Sequence, residues 1–534
     1  MNLLFVFLIC ANNKSLEVRF VETAPVIDGY IEEVWQNADS AYDFVQYMPY
    51  EREKPSDNTV VYILQDENNL YVAFRCWTKN TKPVNQISSN DDAVTVYLDP
   101  FGSKSTAYFF KLYISGLYDD GWILDDGRTS DMSWDGVWNY AVKIYDDRYD
   151  TEIKIPFKSV RYKKGLSEWN VNFRRYISSK QESDYWTEVL QKEGNLVSKY
   201  GILKNINPRA KGYYFEFYPE GFVRRDSTAD ARTETKVSGS LNLKWDITSQ
   251  TTLNATAFPD FAQIESDPFT LNLSRYETYL SERRPFFIEG SEIFRMSDFG
   301  QGKGFFSPLR IFYSRRIGKS INSEVVPIIG GIKLTSKSER LNYGLFGAYT
   351  DEVKKGDTLI ESARGFGVFR SKYGVLQNSD VGMLFSGTAV NSDTYDFAIG
   401  FDGAYRSGAN QLVMQGALSD RNGKIGTGFS SGFMGFVKNF LTLFGIEVIG
   451  DSFDVKDIGY VPWAGMKKFV VFTGPYKQYA KGFLSNLWTG FGGVIVKNPD
   501  EKDWSKIGFF CFNPNFRNNW GGNLELEAGP YYEA

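Results

Sequence analysis

The chain has no histidine among its 534 residues, and this absence narrows the chemistry that its side chains can perform. A Ser-His-Asp triad, a Cys-His pair, a histidine general base and a His-ligated zinc site all need imidazole, so none of them can be present. Any catalysis must rest on carboxylates, lysine, tyrosine or arginine. Cys10, Cys76 and Cys511 are far apart without metal-ligand spacing, and we expect isolated buried thiols rather than a disulfide framework.

An acidic stretch at 119–135 (DDGWILDDGRTSDMSWD) could gather several oxygen atoms around a hard cation. Calcium prefers such ligands, especially when one flexible loop supplies them. The spacing does not match an EF-hand, and a solvated hairpin turn with Asp-Gly at its tip accounts for the same residues. The sequence favours the hairpin. We therefore predict no cofactor, with calcium as the alternative.

A dense block of charge beside Pro285-Phe286-Phe287 is the other group of side chains that could act together. Its members are Glu282, Arg283, Arg284, Glu289, Arg315 and Arg316. Such a cluster could form a constriction or a ligand-contacting ring for anionic or hydroxylated solutes. It could equally be a structural ion-pair network, which is the commoner role and the one favoured here. Which surroundings these charges meet depends on the fold of the C-terminal half.

From about Leu241 onward, strands of roughly ten residues alternate apolar and polar side chains, for example in Leu241–Ile247, Leu341–Tyr349 and Phe397–Phe401. A period of two places alternate side chains on opposite faces of a sheet. A soluble sandwich would bury the apolar face against a second sheet, whereas a membrane barrel turns it to lipid. Charged side chains cannot face lipid cheaply, so we expect the charged block to point into a lumen or to lie in a periplasmic or inward-folded segment.

Composition agrees with an all-β chain. Aromatic residues make up 16% of the sequence, with 33 Tyr and 43 Phe, and these residues suit strands and membrane-interface girdles. The mean hydropathy of −0.34 does not exclude a barrel, because its strands are only half apolar. A net charge of −5 without a basic stripe argues against a nucleic-acid partner. No run of 18 apolar residues occurs, so we expect no transmembrane helix.

The first half has shorter strand-like runs that are rich in Val and Ile. Five of them are Val60–Leu64, Leu70–Arg75, Ala93–Leu98, Tyr108–Ile114 and Thr151–Ile155. Turn signals separate these runs at Asp66–Asn69, Asp99–Gly102 and Asp119–Gly121, and one short helix is expected at Glu32–Ala38. Closely spaced short strands with such turns predict a β-sandwich over 19–205.

Several motifs in this half resemble family 9 carbohydrate-binding modules. The resemblance is carried by Ala24–Trp35 (APVIDGYIEEVW), Asp91–Pro100 (DDAVTVYLDP), Trp134–Trp138 (WDGVW) and Thr151–Val160 (TEIKIPFKSV). Modules of this family clamp a terminal sugar between two tryptophans, and the resemblance therefore implies Trp77 and Trp186 as candidate carbohydrate-binding residues. For either tryptophan alone, a packing role is the more common alternative.

The segment after the sandwich resembles the family named domain of unknown function 5916. The motifs are Phe258–Pro268, Asn272–Glu277, Glu282–Gly290 and Phe312–Gly318. In this family a family 9-like module precedes an outer-membrane β-barrel of Gram-negative bacteria. The resemblance implies a barrel over 210–534, an outer-membrane location with the N-terminal module in the periplasm, and glycan and membrane lipid as partners.

The first and last residues of the sequence lead to two further predictions. Leu3–Cys10 is apolar and too short to span a bilayer, which is typical of a signal peptide, here assigned to 1–11. Barrels of the outer membrane usually end in a strand with a terminal aromatic residue, whereas this sequence ends in Ala534. We therefore expect a truncated sequence and an incomplete barrel.

The sequence thus predicts an outer-membrane barrel protein with a carbohydrate-binding-like module, which handles or transports glycans at the cell envelope. The alternative is a membrane-associated glycoside hydrolase acting on O-glycosyl bonds in polysaccharide catabolism. That activity would need two carboxylates about 5 to 10 Å apart across a sugar cleft. No short motif designates such a pair. A structural barrel with a vestigial module is the third hypothesis.

Overall fold

The computed structural model is all-β and divides into two compact units, 1–210 and 211–534. The described residues are 14–78, 91–132, 134–208, 215–227, 233–248, 250–259, 277–300, 304–321, 324–376, 378–479, 481–499, 501–518 and 520–532. The predicted signal peptide and most of Phe258–Glu277 lie outside these ranges. Within them, no helix has the length and apolar character needed to cross a membrane.

The described residues of unit 1 form fifteen strands. They are β1 Ser15–Glu17, β2 Arg19–Phe20, β3 Asp39–Ala41, β4 Val45–Met48, β5 Thr59–Gln65, β6 Asn69–Trp77, β7 Ala93–Asp99, β8 Ala107–Tyr113, β9 Tyr118–Leu124, β10 Thr129–Asp131, β11 Asn139–Ile144, β12 Arg148–Pro156, β13 Trp169–Ile177, β14 Glu182–Tyr185 and β15 Gly201–Lys204. Short 3₁₀ helices lie at Glu33–Asn37, Phe157–Ser159, Ser178–Lys180 and Val197–Lys199. The helix predicted at Glu32–Ala38 is therefore present as a 3₁₀ turn.

These strands form two sheets that share one hydrophobic core. One sheet has the order β1-β15-β13-β7-β8-β9-β10, with β14 and β4 attached at β13. The other has the order β11-β12-β6-β5-β2, with β3 beside β5. Phe74 of the second sheet meets Phe173 of the first edge-to-face at 5.9 Å, and both side chains are fully buried. The predicted β-sandwich is confirmed.

One predicted turn is wrong. Asp119–Gly121 lies inside β9, and the chain reverses earlier, at Ser115–Leu117. Gly121 approaches the neighbouring backbone so closely that a β-carbon would lie 2.4 Å from the carbonyl oxygen of Asp131. The glycine therefore marks a close contact between β9 and β10, which a single sequence cannot distinguish from a turn.

The hairpin expected in the same stretch is present between β9 and β10, with Asp126-Gly127 at its tip. It is not solvated, however. The Asp126 carboxylate is fully buried and accepts hydrogen bonds from the backbone and hydroxyl of Ser198, at 2.8 and 3.1 Å. The acidic side chain at the tip therefore holds the hairpin to a distant loop.

In the part of unit 2 that the structure describes there are nineteen strands and one short α-helix, α1 at Pro285–Ile288. The strands are β16 Phe215–Ser227, β17 Thr233–Asp246, β18 Thr251–Ala257, β19 Ser320–Ile321, β20 Glu324–Val325, β21 Ile328–Ser336, β22 Leu341–Thr350, β23 Val353–Lys355, β24 Thr358–Glu361, β25 Arg364–Val375, β26 Ser379–Ala389, β27 Tyr395–Ser407, β28 Asn410–Arg421, β29 Lys424–Val437, β30 Phe440–Ile449, β31 Lys467–Gln478, β32 Leu484–Lys497, β33 Ser505–Phe516 and β34 Leu524–Ala528. Two 3₁₀ turns lie at Ser291–Phe294 and Ser314–Arg316.

Fifteen of these strands form a single antiparallel meander, β16-β17-β18-β21-β22-β25-β26-β27-β28-β29-β30-β31-β32-β33-β34. The pairs β19-β20 and β23-β24 are separate small hairpins. Among the described residues, β16 and β34 are each paired on one side only. The predicted alternation is confirmed by the burial pattern of β27, where every second residue from Asp396 to Arg406 is buried.

The two faces of the meander differ. One carries exposed apolar side chains and is called the apolar face. It includes Leu345, Phe385, Phe401, Met414, Leu418 and Phe429, of which Phe401 is 58% exposed. The other, called the polar face, carries Arg370, Asp380, Asp402, Arg406, Gln411 and Gln415. Those polar-face side chains are buried because the described residues 277–300 and 304–318, called the insert, pack against them. No second sheet covers the apolar face within the described part of unit 2.

The core of unit 1 gives a stability prediction. Phe173→Ala, in residues 14–208 expressed alone, removes a fully buried ring that contacts Phe74 and Trp186. We expect the free energy of unfolding in urea to fall by about 3–5 kcal/mol. Tyr42→Ala is the control, because Tyr42 is 59% exposed, and it should change that free energy by less than about 0.5 kcal/mol. Equal effects of the two substitutions would contradict the assigned core.

Candidate functional site: a tryptophan cleft in unit 1 and a charged insert in unit 2

Trp77 lies at the end of β6 and is partly exposed, beside an open cleft of about 440 Å³. The cleft is lined by Ser56, Asp57, Asn58, Trp77, Thr78, Asp146 and Asp147. It therefore combines one flat aromatic side chain with carboxylate, amide and hydroxyl groups. A pyranose ring stacks its C–H face on such an aromatic surface while its hydroxyls hydrogen-bond to the polar groups nearby.

Arg175 positions the walls of this cleft from the opposite sheet. Its guanidinium is fully buried and donates to the carbonyl oxygens of Asn58 and Trp77, at 2.9 and 2.7 Å. It also donates to the Thr59 hydroxyl at 3.0 Å. One buried cation thus ties together the two backbone segments that carry Trp77 and Asn58. Nothing in the sequence around Arg175 signals this role, because its partners are backbone atoms about a hundred residues away.

Ion pairs occupy the rim of the cleft. The carboxylate of Asp57 pairs with Lys180 at 2.8 Å, and that of Asp147 pairs with Arg148 at 3.2 Å. The backbone N–H of Thr78 donates to the carbonyl oxygen of Asp147 at 2.9 Å, which holds the rim against the end of β6. These contacts leave carboxylate oxygens close to Trp77, where hydroxyl groups of a ligand could donate to them.

Trp186, the other predicted tryptophan, is placed differently. Only 3% of its surface is exposed, and its ring packs 5.6 Å from that of Phe173. A β-carbon at Gly201 would lie 2.4 Å from the Trp186 ring, so the ring covers this glycine. Trp186 is not among the residues lining the cleft, and the structure does not bring the two tryptophans together at it. In this position Trp186 fills the core and offers no free face to a sugar.

A buried carboxyl pair lies behind the Ser56 side of the cleft. Glu182 accepts the backbone N–H of Ser56 at 2.7 Å. Asp184, two residues further along β14, is fully buried, and neither of its carboxyl oxygens has a hydrogen-bond partner. Burial, and after it repulsion from Glu182, raises the pKa of Asp184 to about 8. Asp184 therefore keeps its proton at neutral pH, which lowers the cost of burying it.

The charged residues predicted in unit 2 lie in and around the insert. Glu282 and Arg284 pair through both carboxylate oxygens, at 2.8 and 2.7 Å, and Ser314 donates to the same carboxylate at 2.6 Å. The backbone N–H of Arg283 donates to Glu282 at 3.0 Å. Arg284 also donates to the carbonyl oxygen of Ile317 at 2.7 Å. This part of the network holds two stretches of the insert together.

The remaining predicted charges have other partners. Glu289 pairs with Lys244 of β17 at 2.8 Å and accepts a hydrogen bond from Asn254 of β18. Arg315 donates to the carbonyl oxygen of Ser281 at 2.6 Å. Arg316 pairs with Glu277 at 2.7 Å and donates to the carbonyl oxygen of Gly459. These contacts anchor the insert to β17, β18 and the loop at Gly459.

Side chains that could ligate a metal do not converge in the described ranges. Within those ranges, no group of three or more Cys, Asp or Glu side chains could hold a metal ion. Cys76 and Cys511 are free and buried, as predicted. Burial raises the pKa of the Cys76 thiol to about 11, so this thiol is unreactive at neutral pH.

Comparison with known families confirms both resemblances. Residues 27–186 match the family model described as "Carbohydrate family 9 binding domain-like". Residues 213–330 match the model described as "Domain of unknown function (DUF5916)". The chain therefore contains a segment similar to family 9 carbohydrate-binding modules, followed by a segment similar to the DUF5916 family. A search of curated proteins found no match to this chain.

Three solved structures resemble unit 1. Two are of a family 9 carbohydrate-binding module from Caldicellulosiruptor kristjanssonii, one in complex with cellotriose and one with glucose. Each is 18% identical; they cover 36% and 37% of this chain and 93% and 98% of their own, with TM-scores of 0.27 and 0.28. The third is a proposed carbohydrate-binding protein from Bacteroides uniformis. It is 14% identical and covers 36% of this chain and 99% of its own, with a TM-score of 0.30.

The buried Asp184 predicts a pH dependence. Its ordinary pKa is 3.8, so between about pH 4 and 8 the folded protein holds a proton that the unfolded chain releases. The stabilisation from this proton is complete below the ordinary pKa and is lost as the pH rises through the folded pKa, by up to about 1.4 kcal/mol per pH unit. In urea unfolding of residues 14–208 from pH 4 to 9, Asp184→Asn should therefore gain stability relative to wild type as the pH rises. Parallel profiles for the two proteins would contradict this.

Proposed function

We propose that the protein is an outer-membrane protein of a Gram-negative bacterium whose unit 1 binds carbohydrate through the Trp77 cleft. The observation that supports binding most directly is the pairing of one accessible tryptophan with Asp57, Asn58 and Asp146 in a single cleft. The match of residues 27–186 to the carbohydrate family 9 model supports the same function. Glycan capture at the cell envelope is the role that joins the two units.

The apolar face of unit 2 supports membrane insertion. Along β27 the side chains on this face are Tyr395, Phe397, Ile399, Phe401, Gly403 and Tyr405. Tyrosines therefore stand at both ends and purely apolar residues in the middle, which is the arrangement of an interfacial aromatic girdle around a lipid-facing band. Strands β22 and β25–β33 are 10 to 14 residues long, and about 9–11 residues suffice for a tilted strand to cross a bilayer.

Lipid is a better occupant of this face than protein, because the opposite face already has a protein layer. The insert buries the polar face, so a soluble sandwich would have hidden the wrong side of the sheet. A water-exposed sheet would instead carry its polar side chains outward. We therefore propose a transmembrane β-barrel for unit 2, with the apolar face turned to the hydrocarbon.

The carbohydrate proposal is tested by substituting Trp77. Trp77→Ala removes the stacking surface, and we expect the affinity for cello-oligosaccharides or for hits from a glycan array to fall at least about tenfold in calorimetric titration, or about 1.4 kcal/mol. Tyr118→Ala is the matched control, since Tyr118 is an exposed aromatic residue (47%) of unit 1 that does not line the cleft. If Tyr118→Ala abolished binding and Trp77→Ala retained it, the carbohydrate-binding site would not be the Trp77 cleft.

The membrane proposal is tested on the apolar face. The full chain should fractionate with outer membranes and migrate differently on gels before and after heating. Phe401→Arg places a charge near the middle of β27 and should cost about 2–4 kcal/mol of stability in lipid vesicles, whereas Ser407→Arg at the strand end should cost about 0–1 kcal/mol. A chain that stays monodisperse in water without detergent, or equal costs for both variants, would refute the lipid-facing assignment.

A further inference from the structure

The insert is far longer than the connection that its strands need. Strands β18 and β21 are antiparallel neighbours in the meander, which a short hairpin turn could join. The chain instead leaves the sheet after Ala257 and rejoins it at Ile328. The described part of the insert, 277–300 and 304–318, returns across the polar face, where it contacts strands as far along the meander as β31, whose Lys468 donates to the carbonyl oxygen of Gly304 at 2.9 Å.

Glycines in the strands make room for the insert. A β-carbon placed on any of four polar-face glycines would come within 3.0 Å of an insert side chain: Gly331 with Phe286, Gly344 with Phe294, Gly400 with Met296 and Gly432 with Phe299. A β-carbon on a fifth, Gly445, would lie 2.0 Å from the carbonyl oxygen of Phe305. These positions lie on β21, β22, β27, β29 and β30. Glycine residues on five strands therefore leave the space that the insert occupies.

A buried ionic layer holds the centre of the insert. Arg370 of β25 and Asp402 of β27 form a bidentate pair at 2.5 and 2.8 Å, and both side chains are buried. Arg406 pairs with Asp380 of β26. Ser297 of the insert completes the layer: its N–H donates to Asp402 at 2.8 Å and its hydroxyl donates to Asp380 at 2.5 Å.

Polar side chains of the sheet also bind the insert through its backbone. Gln415 donates to the carbonyl oxygen of Ser297 at 2.6 Å and accepts the N–H of Leu309 at 2.7 Å. Glu447 accepts the N–H of Ser307 at 2.7 Å, and Ser386 donates to the carbonyl oxygen of Ile311 at 2.6 Å. Side chains that would otherwise line a water-filled passage therefore hydrogen-bond to backbone groups of the insert.

We infer that the insert is a built-in plug, which closes the polar side of the sheet from β17 to β31 and blocks hydrated ions and small hydrophilic solutes until it is displaced. This inference rests on the proposed membrane location of unit 2. The position of the plug itself does not, because it is defined by contacts within the chain. Solute passage along this face then requires release of Ser297 from the ionic layer.

The experiment measures conductance of the full chain in planar lipid bilayers. Wild type should be closed. Ser297→Asp adds a negative charge beside Asp380 and Asp402 without removing a sheet residue. The current through this variant should be at least tenfold larger than the current through wild type under the same voltage. Ser291→Asp makes the same change in the same segment at a partly exposed position and should behave as wild type. An open wild-type pore, or a heat-modifiable Ser297→Asp protein that stays closed, would overturn the plug.

A cross-link keeps the test decisive if Ser297→Asp does not fold. The double variant S297C and D380C places two thiols where the hydroxyl and carboxylate now meet at 2.5 Å. Oxidation should form this disulfide in the folded full chain, identified by mass spectrometry of tryptic peptides, and current should stay absent. No disulfide, or full conductance with the disulfide formed, would overturn the inference. Failure to enter membranes with the disulfide formed would instead contradict the membrane proposal alone.

Discussion

Unit 2 depends on one constraint: the backbone of each internal strand of the meander is hydrogen-bonded to a neighbour on both sides, so its side chains alone decide what each face can contact. Alternation then separates two environments across one layer of polypeptide. The apolar face has no backbone group to hydrate and can meet hydrocarbon. The polar face brings charges such as Arg370 and Asp402, which pair with each other and with the insert.

Unit 1 also holds a charged side chain in a buried environment. A sandwich core of aliphatic and aromatic side chains has little tolerance for charge, yet Arg175 lies in it fully buried. Two of its N–H groups donate to the carbonyl oxygens of Asn58 and Trp77, which lie just before β5 and at the end of β6, and these hydrogen bonds offset part of the cost of burying the charge. The same bonds fix the backbone that carries the partly exposed Trp77 side chain. Rigid placement of Trp77 reduces the ordering cost of binding a ligand.

Local pattern predicted much of the fold. Periodicity and turn residues over short windows predict five strands of unit 1, β5–β8 and β12. They also predict the 3₁₀ turn near Trp35 and the alternation of β22 and β27. The failures have long-range causes. Gly121 serves a close contact between strands, and Trp186 is covered by the core because Gly201 leaves space beneath it. For the charged block, the sequence predicted pairing among its own members; the structure pairs Glu282 with Arg284, whereas Glu289 and Arg316 pair with Lys244 and Glu277. The attachment of the insert to Gln415 and Glu447 could not be predicted, since side chain to backbone contacts across more than a hundred residues leave no local signal.

The strand directions in the meander determine how its two edge strands, β16 and β34, could pair. Each of the fifteen strands runs opposite to the one before it, so β16 and β34 point the same way. A direct seam between these two would be a parallel pair, with slanted bonds and slightly lower stability per residue than the rest of the sheet. An antiparallel seam would need an odd number of further strands between them, and an even total is the rule for single-chain bacterial barrels.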